Sequence, residues 1–188
     1  MPTMEEIYQA HSDRYDALVD HEDYQHNLSN WLLSSIEWAD RTVIEPGTGT
    51  GRVTAIYAPL VKFGTCLDRS EHMLEAARRR LGPYLSKMSF VVADNLSLPE
   101  LPQKRDALIE GWSFGHTVVD SQSPVSLVTE LLLQNACRNL SENADLFIIE
   151  TLGTNVSRPK PPFRRLSEFY RELEKEWGFV LKILNTDY

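Results

Sequence analysis

The run Val43-Ile44-Glu45-Pro46-Gly47-Thr48-Gly49-Thr50-Gly51-Arg52 constrains this chain more than any other. Two β-branched residues and an acid lead into three glycines at alternate positions, and a helical pattern follows. A buried strand that turns on glycine into a helix is the opening of a βαβ unit. Glycine at such a turn lets the backbone bend sharply and approach a ligand with no Cβ in the way. The carboxylate of Glu45 suits a cationic ligand group, such as the ammonium of an amino acid. A dinucleotide fingerprint G-x-G-x-x-G starting at Gly47 requires a third glycine where Arg52 stands, and no Lys-Ser/Thr pair follows to form a phosphate-cradling loop.

The alternation continues along the chain. Strands are predicted at 41–46, 63–68, Ser89–Ala93, Asp106–Gly111, Ala144–Thr151 and Phe179–Leu184. Helices are predicted at 51–60, from Ser70 to Leu85, from Pro124 to Leu140 and at 164–176. Strands separated by helices of this length imply a mainly parallel sheet, and right-handed crossovers place helices on both faces. Residues 3–38 carry a helical pattern crowded with Trp31, Leu32, Leu33, Ile36 and Trp38, read as a cap over the carboxyl edge or a helix packed on one face.

In such a sheet ligands bind beyond the carboxyl ends of the strands, at the topological switch point. Candidate residues gather at those ends. The second strand ends in Asp68, placed to accept hydrogen bonds from two ribose hydroxyls. Arg69-Ser70-Glu71-His72-Met73-Leu74 follows; Asp68 or Ser70 caps the helix, and Met73 and Leu74 offer apolar surface. Past the third strand, Asp94 in Ala93-Asp94-Asn95-Leu96 can take a hydrogen bond from an exocyclic amine such as adenine N6. The fourth strand leaves through an aromatic-rich turn, Ile109-Glu110-Gly111-Trp112-Ser113-Phe114-Gly115-His116, in which Trp112 either walls a pocket or packs in the core.

These motifs resemble those of the class I S-adenosylmethionine-dependent methyltransferases, close to the broad small-molecule group of that superfamily. Glu45-Pro-Gly-Thr-Gly-Thr-Gly matches the first motif, Asp68 with Met73-Leu74 the second, and Ala93-Asp94-Asn95-Leu96-Ser-Leu-Pro the third. The segment Tyr8–Asp16 resembles the one that folds over the cofactor in such enzymes. The resemblance implies a three-layer, Rossmann-like α/β methyltransferase fold: a mainly parallel sheet, helices on both faces and an amino-terminal helical cap. It covers a single domain, 1–188, with residues 1–40 as the cap.

By the same resemblance Glu45, Gly47, Thr48, Gly49 and Gly51 hold the methionine part of S-adenosylmethionine, with S-adenosylhomocysteine as product. Asp68 and the adjoining Arg69 and Met73 take the ribose side. Asp94, Asn95 and Leu96 take the adenine, and Tyr15 and Trp112 close the pocket. The implied reaction is in-line displacement at the methyl carbon of a sulfonium, for which the protein supplies proximity, alignment and, for a protonated acceptor, a base. His116 is the first candidate base, followed by His11, Tyr8 and Tyr24, and Asp120 either orients a base or is solvated. Family members normally continue into a further antiparallel strand, whereas this sequence reaches only Asn185-Thr186-Asp187-Tyr188, so the last family strand is expected to be missing.

Absences narrow the acceptor. The fourth strand is not followed by Asn/Asp-Pro-Pro-Tyr/Phe, as in resembling amino-methyltransferases of nucleic acids and protein glutamine, nor by a Pro-Cys nucleophile. A net charge of −8 argues against DNA binding built on phosphate contacts. Without an apolar run of about 20 residues or a signal-like start, the expected location is cytoplasmic, with no membrane partner. Cys66 and Cys137 read as buried reduced thiols. The expected acceptor is a small molecule, with monomer or homodimer left open. Two other readings stay open: a protein that holds S-adenosylmethionine or S-adenosylhomocysteine without turnover, and a dinucleotide oxidoreductase, against which Arg52 speaks.

Overall fold

The computed structural model describes Asp23 and residues 25–153 and 159–184. Within them, α1 (Asn27–Ser35) is followed by β1 (Thr42–Pro46), α2 (Arg52–Tyr57), β2 (Phe63–Asp68), α3 (Glu71–Arg80) and β3 (Met88–Val92). Then come β4 (Arg105–Gly111), α4 (Ser113–Asp120), α5 (Val125–Cys137), β5 (Leu140–Ile149) and α6 (Arg164–Lys175), with 3-10 turns at Gly82–Lys87 and Asn95–Ser97. The five strands are all parallel, in the order β3-β2-β1-β4-β5. The chain therefore builds outward from β1 to one edge, then returns to β4 and builds toward the other. That reversal puts the switch point between the carboxyl ends of β1 and β4.

Strand alternation divides the core into two layers. Val43, Cys66, Ala107 and Ile109 pack with Leu32, Trp38, Val53, Tyr57, Ala77 and Leu81 on the face of α1, α2 and α3. Ile44, Leu67 and Leu108 pack with Phe114, Val118, Val128, Leu132, Leu166 and Phe169 on the face of α4, α5 and α6. Successive side chains of a strand point to opposite faces, so a central strand that is apolar throughout feeds both layers.

Several boundaries differ from the sequence reading. Gly82-Pro83 ends α3 early, and the 3-10 turn takes over. β5 begins at Leu140, because Arg105 pairs with Leu140 and Ala107 with Asp145, leaving extra residues opposite Asp106. The expected sixth strand at Phe179–Leu184 is absent among the described residues. Its apolar run supplies a propensity only, and a strand forms where a sheet edge is reached; Val180 is 93% exposed, off the sheet. Cys137 is exposed, whereas Cys66 is buried. Of the expected helical cap, only α1 is described. It packs on the α2 face through Leu32, with the Asp23 carboxylate accepting from Leu28 N and Ser29 N. Residues 1–22 and Tyr24 of the cap, including Tyr8, His11 and Tyr15, lie outside the described residues.

Candidate functional site

β1 delivers the glycine run to the switch point. Gly47, Gly49 and Gly51 all have positive φ, at 68°, 57° and 81°. Thr48 ties the turn down: its amide donates to Leu67 O at 2.9 Å and its hydroxyl to Glu45 O at 2.8 Å. At Gly47 there is no room for a side chain, because a Cβ would lie 2.1 Å from Cβ and Oγ of Ser113.

Glu45 lies beneath this loop. It is 2% exposed, and its Oε2 accepts from Thr54 Oγ1 at 2.8 Å and Tyr57 Oη at 2.6 Å. Burial raises its carboxyl to about 7, and the bonds from Tyr57 and Thr54 oppose that rise. The structure thus joins Glu45 to α2, on the face away from α4. An acid in that position fastens the helix to the strand that precedes it.

Asp68 is the hinge between the loop and the next strand. Its Oδ2 accepts from Gly49 N at 2.8 Å and its Oδ1 from Ser70 N at 2.8 Å. Burial raises its carboxyl, against the pull of the Ser70 and Gly49 amides and Arg69. Each oxygen keeps a second lone pair for a ligand hydroxyl. Ser70 caps α3 by accepting from Met73 N at 3.3 Å, and Met73 is buried with its methyl group beside Gly49. Arg69 is exposed.

The third strand end adds Asp94, Asn95 and Leu96. Asp94 is exposed, with Oδ1 accepting from Leu96 N at 2.8 Å. Leu96 is 37% exposed, and its carbonyl accepts from Asn135 Nδ2 at 2.7 Å. Asn95 turns inward and donates to Ser113 Oγ at 3.2 Å and Thr117 Oγ1 at 3.4 Å.

Past β4 the structure departs from the expected turn. Trp112 takes a left-handed conformation, φ 60°, and α4 begins at the next residue. The Arg52 guanidinium lies 4.1 Å over the Trp112 ring, so the residue in the dinucleotide glycine's place joins the glycine loop to the β4 exit. Ser113 Oγ lies 3.3 Å from Pro46 O and 3.0 Å from Glu110 Oε1. His116 is exposed on α4.

The structure therefore brings Gly47, Thr48, Gly49, Asp68, Met73 and Asn95 together at the carboxyl ends of the strands, with Trp112 tied to the loop by Arg52. Asp94 and Leu96 beside Asn95 are exposed, and Glu45 is buried against α2. The sequence reading included Glu110 and Ser113 in the exit of the fourth strand but gave them no role, and it missed Glu150 and Asn135. Glu110 was detectable as a charge directly after the apolar run Ala107-Leu108-Ile109, an anomaly in a buried strand. Among the described residues no group of three or more metal-ligating side chains is found, and no helix is long and apolar enough to cross a membrane.

Residues 43–141 match the family model described as a methyltransferase domain. An uncharacterized methyltransferase of Geobacillus sp. (strain WCH70) is 29% identical over 115 residues, 58% of this chain and 53% of the relative. The chain thus spans about half the length of that curated relative. Among solved structures, a phosphoethanolamine N-methyltransferase of Haemonchus contortus, in complex with phosphoethanolamine and S-adenosylhomocysteine, is similar with a TM-score of 0.62 at 20% identity; 82% of this chain and 32% of that one are covered. The N-methyltransferase NodS of Bradyrhizobium japonicum, in complex with S-adenosylhomocysteine, gives 0.54 at 21%, covering 65% and 59%. An S-adenosylmethionine-dependent methyltransferase of Clostridium acetobutylicum gives 0.60 at 18%, covering 89% and 60%. At these identities the likeness is one of fold.

Proposed function

Because this chain belongs to the methyltransferase domain family, we propose that it transfers a methyl group from S-adenosylmethionine to a small-molecule acceptor. The observation that carries this reading is the bond from Gly49 N to Asp68 Oδ2, which locks the glycine loop to the acid at the next strand end. The residues present fit the cofactor. Side-chain-free backbone at Gly49 would leave room for the methionine part, Asp68 would offer lone pairs to the ribose hydroxyls, and Asn95 and Leu96 would border the adenine.

When bound, S-adenosylmethionine supplies an electrophilic methyl carbon with a neutral sulfide as its leaving group. The chain's own work is then alignment and exclusion of water. Gly47–Gly51 and Asp68 fix the donor, and Trp112, held by Arg52, walls the side from which the acceptor approaches. His116, exposed on α4, is the base that this reading offers to a protonated acceptor. Glu45, whose Oε2 is held by Tyr57 and Thr54, is the acid that this reading offers to the methionine ammonium.

A calorimetric titration with S-adenosylmethionine, S-adenosylhomocysteine and NADH tests the cofactor assignment. Binding of the first two but not of NADH is expected; binding of NADH alone would overturn it. A methyl-labelled donor with a panel of amines, alcohols and thiols then reads out the acceptor, and labelling of protein or RNA only would refute the small-molecule assignment.

A further inference from the structure

Beneath the amino terminus of α4 lie two carboxyl groups to which the proposed reaction gives no task. Glu110 is fully buried; its Oε1 accepts from the amides of Ser113 and Phe114, the latter at 2.8 Å, and from the Ser113 hydroxyl. Its Oε2 is buried and has no hydrogen-bond partner. Glu150, just past β5, accepts from Gly115 N at 2.5 Å. Three consecutive amides thus divide between the two acids. The register pairs Glu110 with Ile148, which places Glu150 on the same face of the sheet, next along its strand. A Cβ at position 115 would lie 2.5 Å from Glu150 Oε2, so the carboxyl occupies space that only glycine leaves.

Every hydrogen bond described for either carboxyl comes from a neutral donor. Among the described residues, the surrounding titratable groups do not balance two negative charges. β1 brings Glu45, which feels the charge of Glu110, and α2 brings Arg52, which is placed over the Trp112 ring. From α6 comes Tyr170, whose hydroxyl donates to Thr151 O at 2.8 Å. Arg165, also on α6, is directed to the carbonyls of Val118 and Ser123. His116 and Asp120 of α4 are exposed, as are Glu130 and Cys137 of α5. Two neighbouring buried carboxyls without a cation do not both ionise, and an unpaired buried oxygen is unfavourable. One proton between them removes both difficulties.

We infer that Glu110 and Glu150 hold a single proton between them and so act as positioning residues, pinning the first turn of α4, and with it Ser113, against the glycine loop of the cofactor crevice. The link runs from Glu110 Oε1 through Ser113 to Pro46 O and to Asn95, on both sides of the pocket. Burial raises both carboxyls, and for Glu150 the charge of Glu110 raises it further. Rising pH removes the shared proton, leaves two like charges under the helix and loosens that turn.

The assignment of a cofactor role to this pair rests on the methyltransferase reading; the shared proton itself does not. Wild-type protein labelled with 15N separates the two. The amide protons of Phe114 and Gly115 are followed from about pH 5 to about pH 9, where coupled carboxyls report one common titration. A shared midpoint near neutrality is expected. Two separate acid-range midpoints, or no movement at all, would overturn the pair. Glu150→Gln should shift the Phe114 transition toward acid, and an unchanged transition would count against the pair. Affinity for S-adenosylhomocysteine is then measured over the same range. If the proton is needed for binding, affinity falls up to about tenfold per pH unit above the midpoint, and Glu110→Gln flattens that slope. A flat wild-type profile beside a shared amide titration overturns the positioning role. Absence of binding at every pH overturns the cofactor assignment, while a shared titration still establishes the pair.

Discussion

Gly47 and Ser113 meet so closely that a Cβ on the glycine would stand 2.1 Å from both Cβ and Oγ of the serine. The turn after β1 and the start of α4, far apart in sequence, are fitted to one another by the absence of one atom. Gly47→Ala is therefore expected to destabilise the fold by at least the ~1–2 kcal/mol of a non-glycine residue in the left-handed region, with the clash added. Ser113→Gly in the same chain should recover the clash part and leave the backbone part. A double-mutant cycle in urea denaturation measures the coupling, and strict additivity would contradict the fit.

Tyr57→Phe removes the 2.6 Å bond to Glu45 inside a fully buried site. A loss of about 1–3 kcal/mol is expected, the penalty for leaving a buried carboxylate under-satisfied. The loss should be larger at alkaline than at acid pH, because the ionised carboxylate depends more on that donor. Denaturation at two pH values checks the difference.

The pH dependence of stability follows from Glu45. Its folded carboxyl is raised from 4.5 to about 7 by burial, so its favourable contribution is complete below 4.5 and is lost as pH rises through 7. Over that window the melting temperature should fall, and Glu45→Gln should remove a share worth up to about 3 kcal/mol. Glu110 and Glu150 act with the same sign. Asp106, lowered by the Thr42 amide and hydroxyl, acts oppositely: its contribution is lost only as pH falls below its usual 3.8.

Asp68→Ala removes acceptors for Gly49 N and Ser70 N together with the proposed ribose contact. Affinity for S-adenosylhomocysteine should weaken by roughly 1.5–3 kcal/mol. Unchanged affinity in calorimetry would take Asp68 out of the site.

Trp112 holds φ 60° with the Arg52 guanidinium over its ring. Trp112→Gly and Trp112→Ala both lose that contact, but only alanine keeps the backbone strain. The glycine variant should melt higher than the alanine variant, by the equivalent of about 1 kcal/mol. Equal melting would show that the contact alone matters.

The local order of the chain determined much of this protein. Val43-Ile44 before alternating glycines, and Asp68 before a capping serine, specify strand, turn and helix within a few residues, so β1, β2, α3 and the parallel sheet were legible. Ser70 as cap and Gly47 as a tight approach also follow from local chemistry. Other features were decided only in three dimensions. Ser113-Phe114-Gly115 has weak helical propensity and read as a turn, yet α4 starts there because carboxyls from β4 and from beyond β5 take its free amides. Glu45 read as a ligand contact, and the partners of its Oε2, Tyr57 and Thr54, come from one helix later, which the sequence did not reveal. Phe179–Leu184 is an apolar run that reads as a strand, yet among the described residues it forms none. Sequence fixes what a short segment prefers, whereas the partner of a buried charge or an open backbone amide is chosen by whichever distant element packs against it.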